Sequence, residues 1–165
     1  MINCSFKFRQ NAGEEYVNIT NPTVPGRFSE IIGGNFQVEV AIDDVTCAPT
    51  SSRQYKPLEI EKYVDSASPI IYQAICKGTR FNEAVLTMYR YNQDRGEEEA
   101  YYEIKLENVT FTSQKELLSD LHRPSGKKPP SEMVYLVAEK VTKTFLDGCI
   151  THTDSYRDKE TAVAA

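Results

Sequence analysis

The chain has 165 residues, enough for one domain with its own core and too few for two ordinary ones. Nineteen basic against twenty-four acidic residues leave a net charge of -5, which argues against unaided binding to a phosphate backbone, where clustered Lys and Arg supply the affinity. The longest apolar run, residues 133–138, falls far short of the roughly 20 residues that cross a bilayer, so neither nucleic acid nor membrane insertion is expected.

The opening residues 1–7 lack the basic start and apolar stretch of a secretory signal, which predicts synthesis ending in the cytosol. Cys4, Cys47, Cys76 and Cys149, with no close pair among them, are then expected as reduced thiols. Phe36, Val38, Val40 and Ile42 occupy alternate positions and predict a strand with one wet face, begun by Gly33-Gly34. Residues 48–57 read as an exposed connection. Leu58, Ile60 and Val64 predict the next strand. A helix is expected between Asp65 and Gly78: Ser68 as its cap, Pro69 in the first turn, and Gly78 as the left-handed residue that ends it.

Residues 84–91 and 100–112 are rich in β-formers and flank the turn residues 92–96, so they predict a hairpin. Tyr102, Ile104 and Leu106 share one face while Val109 and Phe111 fall in the opposite phase, which places a bulge or bend near Glu107-Asn108. Residues 113–121 carry capping-box spacing between Ser113 and Glu116 and are open to two readings, a short helix or a loop. Residues 122–131 read as a Pro-rich connection. Tyr135, Val137, Val141 and Phe145 recur in one phase, and with the turn Asp147-Gly148 and residues 149–154 they predict a second hairpin. Residues 157–165 form a C-terminal tail.

Reaction chemistry is thin. The carboxylates of Glu97, Glu98 and Glu99 alternate direction on a strand without a companion His, so they read as a solvated hairpin end rather than an acid/base or metal site. His152 and Asp154 lie two apart and Cys149 three upstream, but strand spacing points Cys149 to the other face. His122 lies in the Pro-rich stretch, and Lys127-Lys128 read as a loop tip. No phosphate-cradling glycine motif or nucleophile elbow appears. No catalytic, cofactor-binding or metal residue is therefore assigned, and the ten Tyr fit either ordinary strands or interfaces.

The block Lys56-Pro57-Leu58-Glu59-Ile60-Glu61-Lys62-Tyr63-Val64-Asp65-Ser66-Ala67-Ser68-Pro69, followed by Ala74 and Gly78, resembles the haemolysin-coregulated protein family, the tube protein of bacterial type VI secretion. Tyr101-Tyr102-Glu103-Ile104-Lys105-Leu106-Glu107-Asn108-Val109 is similar to a second family signature, and Glu139 to Gly148 with Asp154-Ser155-Tyr156 is similar to its terminal hairpin. The chain departs from the family at Lys143 and Tyr156, where Trp is frequent, and the resemblance runs from residue 56 to 156. It implies a mainly β fold, a barrel of two antiparallel sheets with one short flanking helix, occupying residues 1–156. It also implies a subunit with no reaction and no cofactor, whose copies form homohexameric rings that stack into a tube, together with contractile sheath proteins, a spike protein and small effectors. Export without a signal peptide follows from the same resemblance, and it favours a loop over residues 113–121. Phage tail-tube proteins share the architecture and are the nearest alternative. From other classes come a monomeric β-sandwich module for small ligands and a small hydrolase using His152 and Cys149.

Overall fold

The computed structural model describes residues 4–20, 28–118, 122 and 129–156. Its elements are β1 (Cys4–Arg9), β2 (Ser29–Asn35), β3 (Val38–Glu39), β4 (Gln54–Tyr55), β5 (Leu58–Tyr63), α1 (Ser68–Lys77), β6 (Arg80–Asn92), β7 (Glu97–Leu117), β8 (Ser131–Phe145) and β9 (Ile150–Ser155). All pairings are antiparallel. The seven-stranded sheet runs β5-β2-β1-β6-β7-β8-β9, and β5 also pairs with β8, which closes six of its strands into a barrel and leaves β9 as an added edge. Closure pairs both sides of each of the six barrel strands. The second sheet is the small pair β3-β4.

Alternation drives the barrel. Leu58 and Ile60 on β5, Phe6 and Phe8 on β1, and Val134 and Leu136 on β8 all turn inward and are buried. Phe8, Phe81 and Phe111 meet edge to face, with ring centroids 5.1 Å (Phe8 to Phe81) and 5.3 Å (Phe81 to Phe111) apart, each ring contributing about 1.5–3 kcal/mol by leaving water. Ala67, Ile71 and Ala74 bring α1 onto this core. Gly78 ends the helix at φ 64, its N–H reaching back to the Ile75 carbonyl.

The phase change near Asn108 is a bend. Leu106 and Val109 are both buried, and Asn108 between them has φ 53. The neighbouring strands change parity at the same level, Phe81 and Ala84 on β6 and Leu136 and Val141 on β8 all facing inward. Three adjacent strands thus turn a corner together. The ladder keeps its count there; the extra residues sit between Met88 and Tyr89 pairings and between Phe111 and Ser113.

Four expectations need correction. Residues 36–42 do not form a barrel strand: Val38–Glu39 pairs with Gln54–Tyr55, Ile42 makes an isolated bridge to Pro49, and Gly33-Gly34 lie inside β2 rather than before a strand. Residues 113–117 continue β7 instead of forming a helix or loop, Gln114 and Lys115 pairing with Val134 and Met133; residues 119–121 lie outside the described residues, as do 123–128 and the tail 157–165. On β8 the expected phase holds at Val141, which is buried, but not before it: Val134 and Leu136 are buried, whereas Val137 is exposed and Tyr135 only half-buried. Ser68 opens α1 without capping it, because its hydroxyl is engaged elsewhere.

That engagement belongs to a buried polar network absent from the sequence reading. The Lys62 ammonium lies 2.8 Å from Asp65 and 2.8 Å from Glu132, and all three side chains are fully buried. Ser29 donates to Asp65 (2.7 Å), Ser68 to Glu132 (2.9 Å) and Gln114 to Glu132 (2.6 Å), while Lys62 also donates to the Tyr63 carbonyl (2.9 Å). One cation and two carboxylates thereby join β2, β5, α1, β7 and β8 with their hydrogen-bonding capacity filled.

Candidate assembly surface

Between β2 and β5 the chain leaves the barrel as an arm, residues 36–57. Its two limbs are tied by Lys56 N–H to the Gln37 carbonyl (3.0 Å), Thr50 N–H to Ala41 (2.8 Å) and Asp43 N–H to Ala48 (2.9 Å), with a bridge at Ile42 and Pro49. The tip turns because the Asp43 carboxylate accepts from the N–H groups of Val45 (2.8 Å) and Thr46 (3.0 Å), an Asx-type closure, and Cys47 takes a left-handed φ of 56. The Thr46 and then the Val45 hydrogen bond hold the Asp43 carboxyl below its ordinary range.

The base is fastened to β9. Arg53 and the Tyr55 hydroxyl both donate to the Asp154 carboxylate, and Arg53 also donates to the Ser155 carbonyl (3.1 Å). Tyr55 lies between Phe36 (6.1 Å) and Tyr156 (5.7 Å) with its ring tilted to both, and the Lys143 ammonium lies 4.1 Å from the Phe36 ring centroid. Burial, then the bond to Asp154, pushes the Tyr55 hydroxyl up to about 12. Burial works against ionisation of Asp154, yet the bonds from Tyr55 and Arg53 outweigh it and hold this carboxyl below its usual range. Burial lowers the Lys143 ammonium.

Alternation gives the arm two unlike faces. Gln37 and Glu39 meet Lys56 on one, the Lys56 ammonium 3.1 Å from Glu39. The other carries Phe36, Val38, Val40 and Ile42. Only its base is covered, for Val38 is 46 %, Val40 44 % and Ile42 59 % exposed, and Val45 at the tip is 92 % exposed. An amphipathic strand pattern is therefore present with its apolar side facing out.

Where the arm meets the barrel corner lies a cavity of about 380 Å³. Leu58, Leu106, Leu136 and Val141 line its apolar part, Phe36, Tyr55 and Tyr156 its arm side, and Arg80 and Asn108 supply polar groups.

The residues weighed for chemistry are scattered. Cys149 lies in the turn before β9 at φ 53, His152 is exposed and paired in register with Lys143, and Asp154 is occupied by the arm. Glu99 is held by Arg90 (2.8 Å) and Asn92 (3.0 Å) at the hairpin end. His122 is exposed, and Lys127-Lys128 lie outside the described residues. Among the described residues no cluster of three or more His, Cys, Asp or Glu is placed to hold a metal ion. The sequence reading missed the joining of the arm to β9; its signal is Arg53 and Tyr55 flanking Gln54, two side chains aimed the same way.

A family model described as "Type VI secretion system effector, Hcp" matches residues 25–145. The chain belongs to the Hcp family. The match takes in the arm, which the resemblance from residue 56 onward did not reach. The major exported protein of Pseudomonas aeruginosa is 28 % identical over 126 residues, spanning 76 % of this chain and 73 % of that one. Among solved structures, Hcp1 from the E. coli EAEC 042 pathovar superposes with a TM-score of 0.79 at 25 % identity, covering 94 % of this chain and 99 % of that chain. Hcp3 from Pseudomonas aeruginosa, described as a secreted protein, gives 0.71 at 20 % identity over 93 % of this chain and 99 % of its own.

Proposed function

We propose that this Hcp protein is the tube subunit of a type VI secretion system: copies close into sixfold rings, rings stack into a tube beneath a spike protein and inside a contractile sheath, and the lumen carries small effectors. Residues 1–156 act as one unit in this reading, which requires no cofactor, metal or catalytic residue. The protein assembles in the cytoplasm and is then exported. The kinship with a protein named as major exported supports the last step.

The single observation that carries the reading is the arm, whose apolar face is specified by alternation and left without cover in one copy. Burying such a face against a second copy returns about 25 cal/mol for each Å² removed from water. An arm on one side and a different receiving surface on another make the contact heterologous, the type that closes into rings or runs on as a stack.

Native mass spectrometry and electron images of purified protein at micromolar concentration test this. Sixfold rings and stacks are expected; a monomer persisting across salt and pH overturns the reading and returns the chain to a ligand-binding module. Deleting residues 44–47 at the arm tip is expected to spare rings and reduce stacking. Loss of rings with stacking retained contradicts the role given to the arm.

A further inference from the structure

The cavity at the barrel corner has the make-up of a small-molecule site. Its floor is apolar, since Leu58, Leu106, Leu136 and Val141 line it and are themselves buried. Its volume of about 380 Å³ falls at the lower end of cavities that hold small ligands, roughly 300–1,000 Å³. Three charged side chains line it: two cations, Lys56 and Arg80, and one carboxylate, Glu139. In a chain of net charge -5 this opening carries the opposite sign, which suits an anion.

The three charges differ in what they already hold. Lys56 lies 3.1 Å from Glu39, and Glu139 accepts from the Asn108 amide at 3.1 Å. Arg80 is exposed and, among the described residues, pairs with no carboxylate. Its partner in register is Thr110 on β7, so the two side chains stand next to one another on one face of the sheet. The Thr110 hydroxyl likewise makes no hydrogen bond among the described residues. A guanidinium fork beside a hydroxyl, both without an acceptor, matches the two oxygens of a carboxylate. Val137 follows Thr110 in the same row, on β8, and is 41 % exposed. Donors and apolar surface are thus adjacent at the rim and continue into the apolar floor.

We propose that this cavity binds a small monocarboxylic acid with an apolar body, the carboxylate taken by Arg80 and Thr110 and the chain lying against Leu106, Leu136 and Val141. All of these groups come from one subunit, so the site goes beyond the tube reading and does not rest on it. The volume fits a short hydrocarbon chain rather than a folded partner. Phe36 and Tyr55 wall the cavity on the arm side, so a bound acid touches the barrel and the arm base together.

Isothermal titration of the purified full chain with sodium octanoate tests the site, in whatever assembly the protein forms. Saturable binding of one octanoate per subunit at millimolar concentration or tighter is expected. Octylammonium, with the same chain and the opposite charge, is expected not to bind. Arg80→Gln removes the cation from an exposed position and is expected to weaken octanoate about tenfold, the scale of one charge-assisted hydrogen bond at a rim. Thr110→Val keeps the shape, loses the hydroxyl and is expected to weaken it less. Val137→Trp fills the opening from an exposed place and is expected to abolish binding with the unfolding midpoint unchanged. Amide exchange gives a second readout: octanoate is expected to slow exchange at residues 54–58 in the wild type and not in Val137→Trp. Absence of saturable binding, equal binding of octylammonium, or wild-type affinity in either Arg80→Gln or Val137→Trp overturns the proposal. None of these outcomes touches the tube reading, which stands or falls on particle mass.

Discussion

Arg53 and Asp154 stand 101 positions apart in sequence and form an ion pair that fastens the arm to the last strand. Tyr55 reinforces the same carboxylate. The Asp154 carboxyl is held below its ordinary range, so this contribution is fully present above the unfolded value of about 3.9 and fades as pH falls through the depressed folded value. Asp154→Asn is expected to speed amide exchange across residues 37–56 while leaving exchange in β6 and β7 unchanged. Slowed or unaltered exchange in the arm contradicts the fastening role. Tyr55 titrates in the opposite sense: its raised value keeps the hydroxyl a donor past pH 10, and anchoring is lost only as pH rises towards about 12.

The Lys62, Asp65 and Glu132 cluster supports a second prediction. Lys62→Ala strands two buried carboxylates beside one another, and breaking a buried pair costs about 3–5 kcal/mol. Urea unfolding is expected to show that loss. The triple variant Lys62→Met, Asp65→Leu, Glu132→Met removes every charge of the cluster and is expected to cost far less. Equal losses in the two variants would mean that stranded carboxylates are not the source of the loss in Lys62→Ala.

Gly34 supports a third. A Cβ at this position would stand 2.5 Å from the Glu59 carbonyl oxygen, against the backbone of the strand it pairs with. Gly34→Ala forces β2 away from β5 and is expected to cost about 1–3 kcal/mol in thermal or urea unfolding. Gly33→Ala has ordinary contacts at 3.5 Å and serves as the control.

The barrel was legible in the sequence where one face of a strand is wet and the other dry. Leu58 and Ile60, the hairpin between β6 and β7, the helix ending at Gly78 and the phase change at Asn108 all follow from side-chain alternation or local backbone chemistry. The misreadings share a physical cause: pattern says that a face is buried, never against what. Phe36, Val38, Val40 and Ile42 have the period of a half-buried strand, and the covering surface for most of them is not in the same molecule. Ser113 and Glu116 meet the spacing of a capping box, yet Gln114 between them donates to Glu132 and continues a strand. Lys62 sits at a core-facing place in β5, but a lysine there signals a wet face unless its two carboxylate partners, one of them far along the chain on β8, are known. Cooperation across such distances is what local patterns omit.

Solvent-side substitutions on the arm separate assembly from folding. Val40→Asp and Ile42→Asp alter side chains that are 44 % and 59 % exposed and are expected to shift unfolding free energy by no more than about 0.5 kcal/mol. Each places a charge on the apolar face, so the tube fraction in pelleting assays falls. A loss of stability with assembly intact would show that this face is covered within the subunit.

Salt provides the last prediction, because two effects act with one sign and one against. Each subunit carries a net charge of -5, so six carry -30 and facing rings repel. Screening shortens from about 10 Å at 0.1 M salt to about 3 Å at 1 M, which weakens that repulsion, and a kosmotropic anion also strengthens burial of the arm's apolar face. Against these stand any exposed ion pairs formed across the ring face, each worth at most about 1 kcal/mol and screened in the same range. The long-range term sums over every subunit on both rings, so it governs. Mean tube length measured by electron microscopy is expected to rise with sulfate concentration and, more weakly, with chloride. Tubes that shorten steadily as salt rises would mean that local ion pairs dominate the stack.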